Sequence, residues 1–285
     1  MADQPTVYLN GQFLPRSEAK LDIEDRGSLF ADGVYEVVHF YGGAAFAMEA
    51  HADRMKRSLT AIGIDCDADF AAISNELIKR NNKPDASVYW HVSRGPAPRD
   101  HIIPSRVTPT VLLIAYPTKP LDSHSKVSEV AAALHEDVRW SQCWIKSLML
   151  LPNVLAKSKA RASGAYEAIL HRDGFVTEGC STNVFIVRDG ELWTHPANQY
   201  ILGGITRDTV LRLADALGIP CRQERLTVDA ALAADEVMLT GTSTHVAAVT
   251  RIDDRPIGDG KAGPMTRQLH DALMRRIAQV CGRGI

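Results

Sequence analysis

No stretch of about 18 apolar residues occurs anywhere in the sequence, which argues against a membrane-crossing helix. The start, Met1-Ala2-Asp3-Gln4-Pro5, lacks the basic and apolar regions of a secretory signal, so a cytoplasmic protein with no membrane partner is expected. Charge of one sign is also missing. Lysine and arginine number 32 against 34 acidic residues, a formal net charge of -2, and no basic stripe interleaves with aromatics. Nucleic acid is therefore not an expected partner. The five cysteines (Cys66, Cys143, Cys180, Cys221 and Cys281) are scattered, odd in number and in no CxxC pair, which suits buried reduced thiols rather than a zinc site or disulfide framework. None of the ten histidines falls in an HExxH pattern, so no metal is expected, and His51 and His171 read as satisfied structural histidines. Repeats and low-complexity segments are absent.

A chain of 285 residues with 45% hydrophobic content can bury a large core, and its length suits two domains or one large one. The first part reads as mixed strand and helix. Thr6 to Leu9 and Val34 to Tyr41 are β-rich, the latter with an alternation of Val34, Glu36 and His39 that Val37-Val38 interrupts. Helices follow from His51 to Ile62 and after a cap at Asp67, then strands at Ser87 to Val92 and Val111 to Tyr116. The polar, proline-punctuated stretch Pro117 to Ser125 reads as a linker. Three segments are thus expected: a smaller N-terminal α/β domain over 1–118, a linker over 119–125 and a larger domain over 126–285.

Within the larger segment, Val127 to Leu134 reads as a strand and Pro152 as the first residue of a helix ending near Ser163-Gly164. Asp173-Gly174 and Asp189-Gly190 are hairpin turns between β-prone runs at Tyr166 to His171, Asn183 to Val187 and Glu191 to Thr194. Arg207 to Leu217 has one apolar face; strands at Glu236 to Thr240 and His245 to Ile252 and a helix over Pro264 to Val280 complete the chain. Strands clustered apart from helices indicate an α+β fold with a mostly antiparallel second sheet.

Lys146 is a lone cation in the run Trp144-Ile145-Lys146-Ser147-Leu148-Met149-Leu150-Leu151. Desolvation there would favour the neutral amine, a nucleophile toward carbonyls; the alternative is a side chain that snorkels to water. Gly203-Gly204-Ile205-Thr206 precedes a helix and could cup a phosphate, or be a turn with an N-cap. Thr240-Gly241-Thr242-Ser243-Thr244 ends a strand and could face the same phosphate, or be a polar loop. Arg54 could add a guanidinium, or be a solvated helix arginine. Glu178, at a glycine-flanked bend, could keep a heterocyclic nitrogen protonated, or be a surface glutamate. Arg94 to His101 holds two arginines and a histidine on a stiff loop suited to a small carboxylate, or to solvating its own charges.

Taken together and in order, these pieces resemble the fold-type IV pyridoxal phosphate enzymes, and among them the D-amino acid aminotransferases most closely. The resemblance runs from Asp25-Arg26-Gly27 and Asp32-Gly33-Val34-Tyr35-Glu36 to Asp259-Gly260-Lys261. It is carried above all by Asp137-Val138-Arg139-Trp140, Ile145-Lys146-Ser147-Leu148, Tyr166-Glu167-Ala168-Ile169-Leu170-His171, Val176-Thr177-Glu178-Gly179, Thr194-His195-Pro196-Ala197-Asn198 and Gly204-Ile205-Thr206-Arg207-Asp208. It implies a two-domain enzyme using pyridoxal 5'-phosphate (PLP), in which Lys146 forms the internal aldimine and shuttles the α-proton. Glu178 would pair with the pyridine nitrogen, Leu202 would pack on the ring, and Arg54, Gly204, Ile205, Thr206, Gly241 and Thr242 would line the phosphate end. Tyr35, Val37, Arg99 and His101 would meet the substrate, with Arg99 and His101 arriving from the partner of a homodimer with shared active sites.

The activity so implied is ping-pong transamination between a D-amino acid of the D-alanine type and a 2-oxo acid such as 2-oxoglutarate. Departures from the resemblance are Met149 in place of asparagine, Cys180 in place of serine and His245 in place of glutamate. Gly241, within Thr-Gly-Thr, looks more like the branched-chain L-amino acid aminotransferases. The rival readings are such an enzyme, an (R)-amine transaminase, an aminodeoxychorismate lyase-like enzyme and a cofactor-free binding protein on the same scaffold. The intact set of Lys146, Glu178 and Thr206 counts against the last.

Overall fold

Asp-Gly turns and strand alternation account for much of the architecture seen in a computed structural model, in which residues 4–283 are described. The chain divides into two compact units. Among the described residues, one takes Gln4–Leu121 together with Ile145–Met149 and Val280–Arg283; the other holds Asp122–Trp144 and Leu150–Gln279. The first unit thus includes two returns of the chain from beyond the polar segment expected as a linker, and that segment contains a 3-10 turn at Leu121–His124.

In the first unit, β1 (Thr6–Leu9), β2 (Gln12–Pro15), α1 (Arg26–Phe30), β3 (Gly33–Tyr41), β4 (Ala44–Ala45), α2 (Met48–Ala61), α3 (Phe70–Asn81), β5 (Ala86–Ser93) and β6 (Thr110–Pro117) follow in order. The sheet runs β2-β1-β6-β5-β3-β4 and every pairing is antiparallel. The alternation expected to break at Val37-Val38 instead continues through β3. Val34, Glu36, Val38 and Phe40 share one buried face, and Tyr35 and Val37 sit half-buried on the other. Helix α3 is capped by Asp69, whose side chain accepts from the Ala72 N–H at 2.9 Å, rather than by Asp67. In the core beneath it the rings of Phe70 and Trp90 stack at 4.9 Å, and the Trp90 indole donates to Ser74 Oγ.

The second unit contains β7 (Ser128–Glu136), α4 (Leu151–Ala162), β8 (Glu167–Arg172), β9 (Phe175–Gly179), β10 (Asn183–Arg188), β11 (Glu191–Thr194), α5 (Ile205–Ala216), β12 (Cys221–Gln223), β13 (Leu226–Thr227), α6 (Val228–Leu232), β14 (Glu236–Gly241), β15 (His245–Ile252), β16 (Arg255–Pro256) and most of α7 (Pro264–Val280). Its sheet runs β12-β11-β10-β14-β15-β7-β8-β9-β13, with β16 beside β15. Hairpins dominate, but β7 pairs in parallel with both β15 and β8, and β12 with β11. Asp173-Gly174 and Asp189-Gly190 form the β8–β9 and β10–β11 turns with positive φ at both positions, as two-residue hairpins require. Ile169, Val176, Val184, Ile186 and Leu239 fill the core below the strands that carry Glu178 and Asn183. Among the described residues no helix is long and apolar enough to cross a membrane, and no cluster of His, Cys, Asp and Glu could hold a metal.

Candidate active site

The Lys146 segment is held by strand chemistry. The N–H of Tyr35 donates to Lys146 O (2.9 Å), the N–H of Leu148 donates to Gly33 O (3.0 Å), and Val34 bridges Ser147, so residues 146–148 lie antiparallel along the start of β3. The approach needs Gly33: a Cβ there would stand 2.4 Å from Val92 O and 2.7 Å from Leu148 Cδ1. On the helix side, Lys146 N–H donates to the buried Ser58 Oγ of α2 at 3.3 Å. The expectation of a cation sunk in an apolar run is corrected. Ile145 and Ser147 turn inward while Trp144 is exposed and Lys146 and Leu148 are half-buried, because an extended segment presents alternate residues to opposite sides; Met149 and Leu151, beyond it, are exposed.

From that position Lys146 Nζ lies 4.4 Å from the centroid of the Tyr35 ring. Register places His91 opposite Tyr35 and Tyr89 opposite Val37, so β3 and β5 present one half-buried face of Tyr35, Val37, Tyr89 and His91 beside the lysine. The Tyr35 and Tyr89 rings are 5.8 Å apart, and Tyr89 Oη shares a hydrogen bond with His91 Nδ1 at 3.2 Å. Burial raises the Tyr89 hydroxyl above its ordinary value and lowers His91. Tyr89 and His91 escaped the sequence reading; once β3 and β5 are paired, their alternation with Tyr35 and Val37 brings them to light.

The opposite face of β3 carries a second group that the sequence reading did not assemble. Glu36 is fully buried and takes both Nε (2.6 Å) and Nη2 (2.9 Å) of Arg54, while His51 Nδ1 lies 2.8 Å from its Oε2. Burial alone would raise the Glu36 carboxyl, but Arg54 and then His51 hold it far below the usual carboxylate range. Burial also depresses His51, against the pull of Glu36. Arg54 is thus a fixed, buried guanidinium rather than a solvated one. The signal was a lone carboxylate on the apolar face of a strand, where a partner is obligatory.

The loop of Arg94 to His101 splits in two. Arg94 is buried and forks onto Asp32 (2.8 and 3.0 Å) while donating to the carbonyls of Ile62 and Gly63, so it holds the loop and does not serve as a ligand. Burial would raise Asp32, but bonds from Arg94 and Arg26 bring it below its ordinary value. Arg26 also donates to Asp100 O at 2.7 Å, and Asp25 accepts from Ser93 and Thr110, which anchors the loop at both ends. Arg99 and His101 are exposed and lie 5.4 Å and 5.5 Å from the centroid of the Phe30 ring.

In the second unit, Glu178 sits at the end of β9, buried, with donors on both of its oxygens. Arg139 Nη1 gives to Oε1 (2.6 Å), and Asn183 Nδ2 and the N–H of Leu202 give to Oε2 (3.0 Å each). Asn183 also donates to Leu202 O at 2.9 Å and its Oδ1 presses on Gly204, where a Cβ would stand only 2.0 Å away. One side chain therefore ties Glu178, Leu202 and Gly204 together. Helix α5 opens at Gly204 without a side-chain cap, leaving first-turn N–H groups at Ile205 and Thr206 without intrahelical acceptors. Gly241 ends β14 and Thr242 opens the turn after it, both half-buried. Beside them Thr240 Oγ1, and in the first turn of α5 Arg207 Nε, are buried polar atoms lacking a hydrogen-bond partner among the described residues.

A family model for amino-transferase class IV matches residues 33–252, spanning Lys146, Glu178, α5 and the Thr242 turn. The chain belongs to the class IV aminotransferases. It is 42% identical to the D-alanine aminotransferase of Bacillus licheniformis over 95% of this chain and 96% of that one. Against the D-alanine aminotransferase of Staphylococcus haemolyticus the identity is 41%, over 95% and 97%. Among solved structures, the branched-chain aminotransferase of Thermoproteus uzoniensis with norvaline superposes with a TM-score of 0.86 at 29% identity, covering 99% of this chain and 96% of that one. A T.th. branched-chain amino acid aminotransferase with pyridoxamine 5'-phosphate gives 0.87 at 28%, covering 100% and 96%. The class IV aminotransferase fold is thus the one carried by this chain.

Proposed function

We propose that this protein is a PLP-dependent transaminase that moves an amino group between a D-amino acid of the D-alanine type and a 2-oxo acid such as 2-oxoglutarate. The observation that carries this reading is the 42% identity with a D-alanine aminotransferase over 95% of the chain. The residues present fit the cofactor. Within the second unit, an uncapped helix start with a glycine that tolerates no side chain and orphaned polar atoms beside it suits a phosphate, and the fixed carboxylate at Glu178 suits a ring nitrogen.

Bound pyridoxal phosphate supplies a protonated pyridine ring that accepts the electron pair left at the substrate α-carbon. Each other task falls to a residue of this chain. Lys146 Nζ would hold the cofactor and would move the proton at the substrate α-carbon. Glu178 would keep the ring nitrogen protonated, Leu202 would pack on the ring, Arg54, Ile205, Thr206 and Thr242 would hold the phosphate, and Gly204 and Gly241 would line the cofactor beside them. Tyr35 and Val37 line the substrate face, and Arg99 and His101 clamp the carboxylate.

D over L selectivity is supported by the Arg99 and His101 pair, a guanidinium fork with a neighbouring imidazole donor. D-Alanine with 2-oxoglutarate is therefore expected to turn over much faster than L-leucine with 2-oxoglutarate. Paired initial rates check this, and a preference for L-leucine would favour the branched-chain reading, to which Gly241 and the structural neighbours lend weight.

The reading includes a homodimer in which Arg99 and His101 serve the partner's site. Both side chains are exposed within the protomer, and Ile102 and Ile103 beside them are 75% and 58% exposed, with Ile23 at 90%, an apolar display that a partner would cover. Sedimentation at micromolar concentration is expected to give twice the protomer mass. A monomer that retained full activity would remove the shared clamp.

A further inference from the structure

The segment Asp137-Val138-Arg139-Trp140 has no task in the reaction as set out above, yet Asp137 and Arg139 are among the most fully paired charges of the second unit. Asp137 is buried and grips Arg139 with both oxygens, accepting Nε on Oδ1 and Nη2 on Oδ2 at 2.9 Å each. Thr177 Oγ1 donates to the same Oδ2 at 2.8 Å, one residue before Glu178. The Arg139 Nη1 that Asp137 leaves over is the one that donates to Glu178 Oε1 at 2.6 Å, and Nη2 also reaches Tyr200 O at 3.2 Å.

We propose that Arg139, clamped by Asp137, is a positioning residue that holds Glu178 as an anion in one fixed plane toward the cofactor's ring nitrogen. This rests on Glu178 being the ring-nitrogen partner. A buried carboxylate without a counter-charge takes up a proton near neutral pH, and a protonated Glu178 could not stabilise a pyridinium. The guanidinium fork prevents this, and because its other edge is occupied by Asp137 it cannot swing away. The donors from Asn183 and Leu202 fix the other oxygen, so the carboxylate plane is set from both sides.

The charges facing this group come from three elements. Arg139 and the buried Cys143, whose thiol burial pushes up to about 11, lie on the segment after β7. Arg172 on β8 approaches Asp137 Oδ1 at 3.4 Å. Arg207, in the first turn of α5, is lowered by burial and feels Glu178 as well as Asp208. Arg139 donates a hydrogen bond to Glu178. Burial works against the Arg139 charge, but Asp137 and Glu178 outweigh it and keep the guanidinium above its usual value.

The test uses the PLP-loaded enzyme and its R139M, R139K, E178Q and R139M/E178Q variants. Two readouts are followed against pH: the visible band of the bound cofactor and the acid limb of kcat. R139M is expected to move both upward together by about one to three pH units, the span that an adjacent opposite charge commands. R139K should return part of that shift, since it restores the charge without the fork. In the E178Q background R139M should change neither readout further. The proposal is overturned if the R139M profiles superimpose on wild type, or if R139M acts equally in both backgrounds, as a merely structural residue would. An E178Q enzyme with wild-type spectrum and kcat would instead remove the Glu178 assignment itself. Should R139M not fold, the same comparison of R139K with and without E178Q decides the matter.

Discussion

Lys146→Ala is expected to lower transamination by about 10⁴-fold, the upper end of what one positioned acid-base group contributes, and to abolish the visible band of the bound cofactor. The fold should survive. The bonds that seat residues 146–148 on β3 and α2 are made by main-chain N–H and C=O groups, which alanine keeps. The side-chain contact given up is the ammonium over Tyr35, worth about 0.5–1 kcal/mol. Circular dichroism and denaturant midpoint should therefore stay near wild type while absorbance and rate collapse. A Lys146→Ala enzyme that still transaminates at a tenth of the wild-type rate would sink the assignment of the lysine.

Glu36→Gln should have the largest effect on stability, about 3–5 kcal/mol, because it strands the Arg54 guanidinium in a buried site without its counter-charge. Volume is conserved, so the loss is electrostatic rather than a cavity term. Denaturant unfolding of the two proteins, with unchanged slope and a lowered midpoint, measures it. A loss below 1 kcal/mol would mean that Arg54 finds its charge balance elsewhere.

The pH dependence follows from the same three residues. Glu36 is depressed in the folded state, so its contribution is complete above the unfolded value of about 4.3 and fades as pH falls below it. His51 is also depressed, so the unfolded chain takes up its proton first and stability begins to fall below about pH 6.5. Wild-type stability should thus decline on acidification in two stages, and the lower stage should be shallower in Glu36→Gln, where the depressed Asp32 and Asp137 still contribute.

Much of the second unit was legible because its signals are local. Asp173-Gly174 and Asp189-Gly190 specify positive φ at adjacent positions, which only a tight hairpin satisfies, and the strands around them follow. Pro152 in the first turn of α4 and the bounds of α7 are equally short-range. Helix starts were less sharp: α2 begins at Met48 and α5 at Ile205, each ahead of the first apolar residue that periodicity detects. The candidate site residues are named from residue type and order, which does not give their partners. Asn183 lies 19 residues before Leu202, and Arg139 lies 39 before Glu178, so nothing in a local window links them.

By itself, the sequence determined which chemical groups are available and in what order: the lysine, the carboxylate, the uncapped glycine start of α5 and the stiff arginine loop, all set by residue identity over a few positions. Tertiary structure alone decided which of them are held, and by what. It returned Lys146 to the edge of β3 through main-chain bonds, buried Glu36 against Arg54, turned Arg94 inward and Arg99 outward from one loop, and set Arg139 on Glu178. The reason is physical. A buried charge must find an opposite charge or donors wherever the fold brings them, and that pairing is fixed by distance in space, which spacing along the chain does not record.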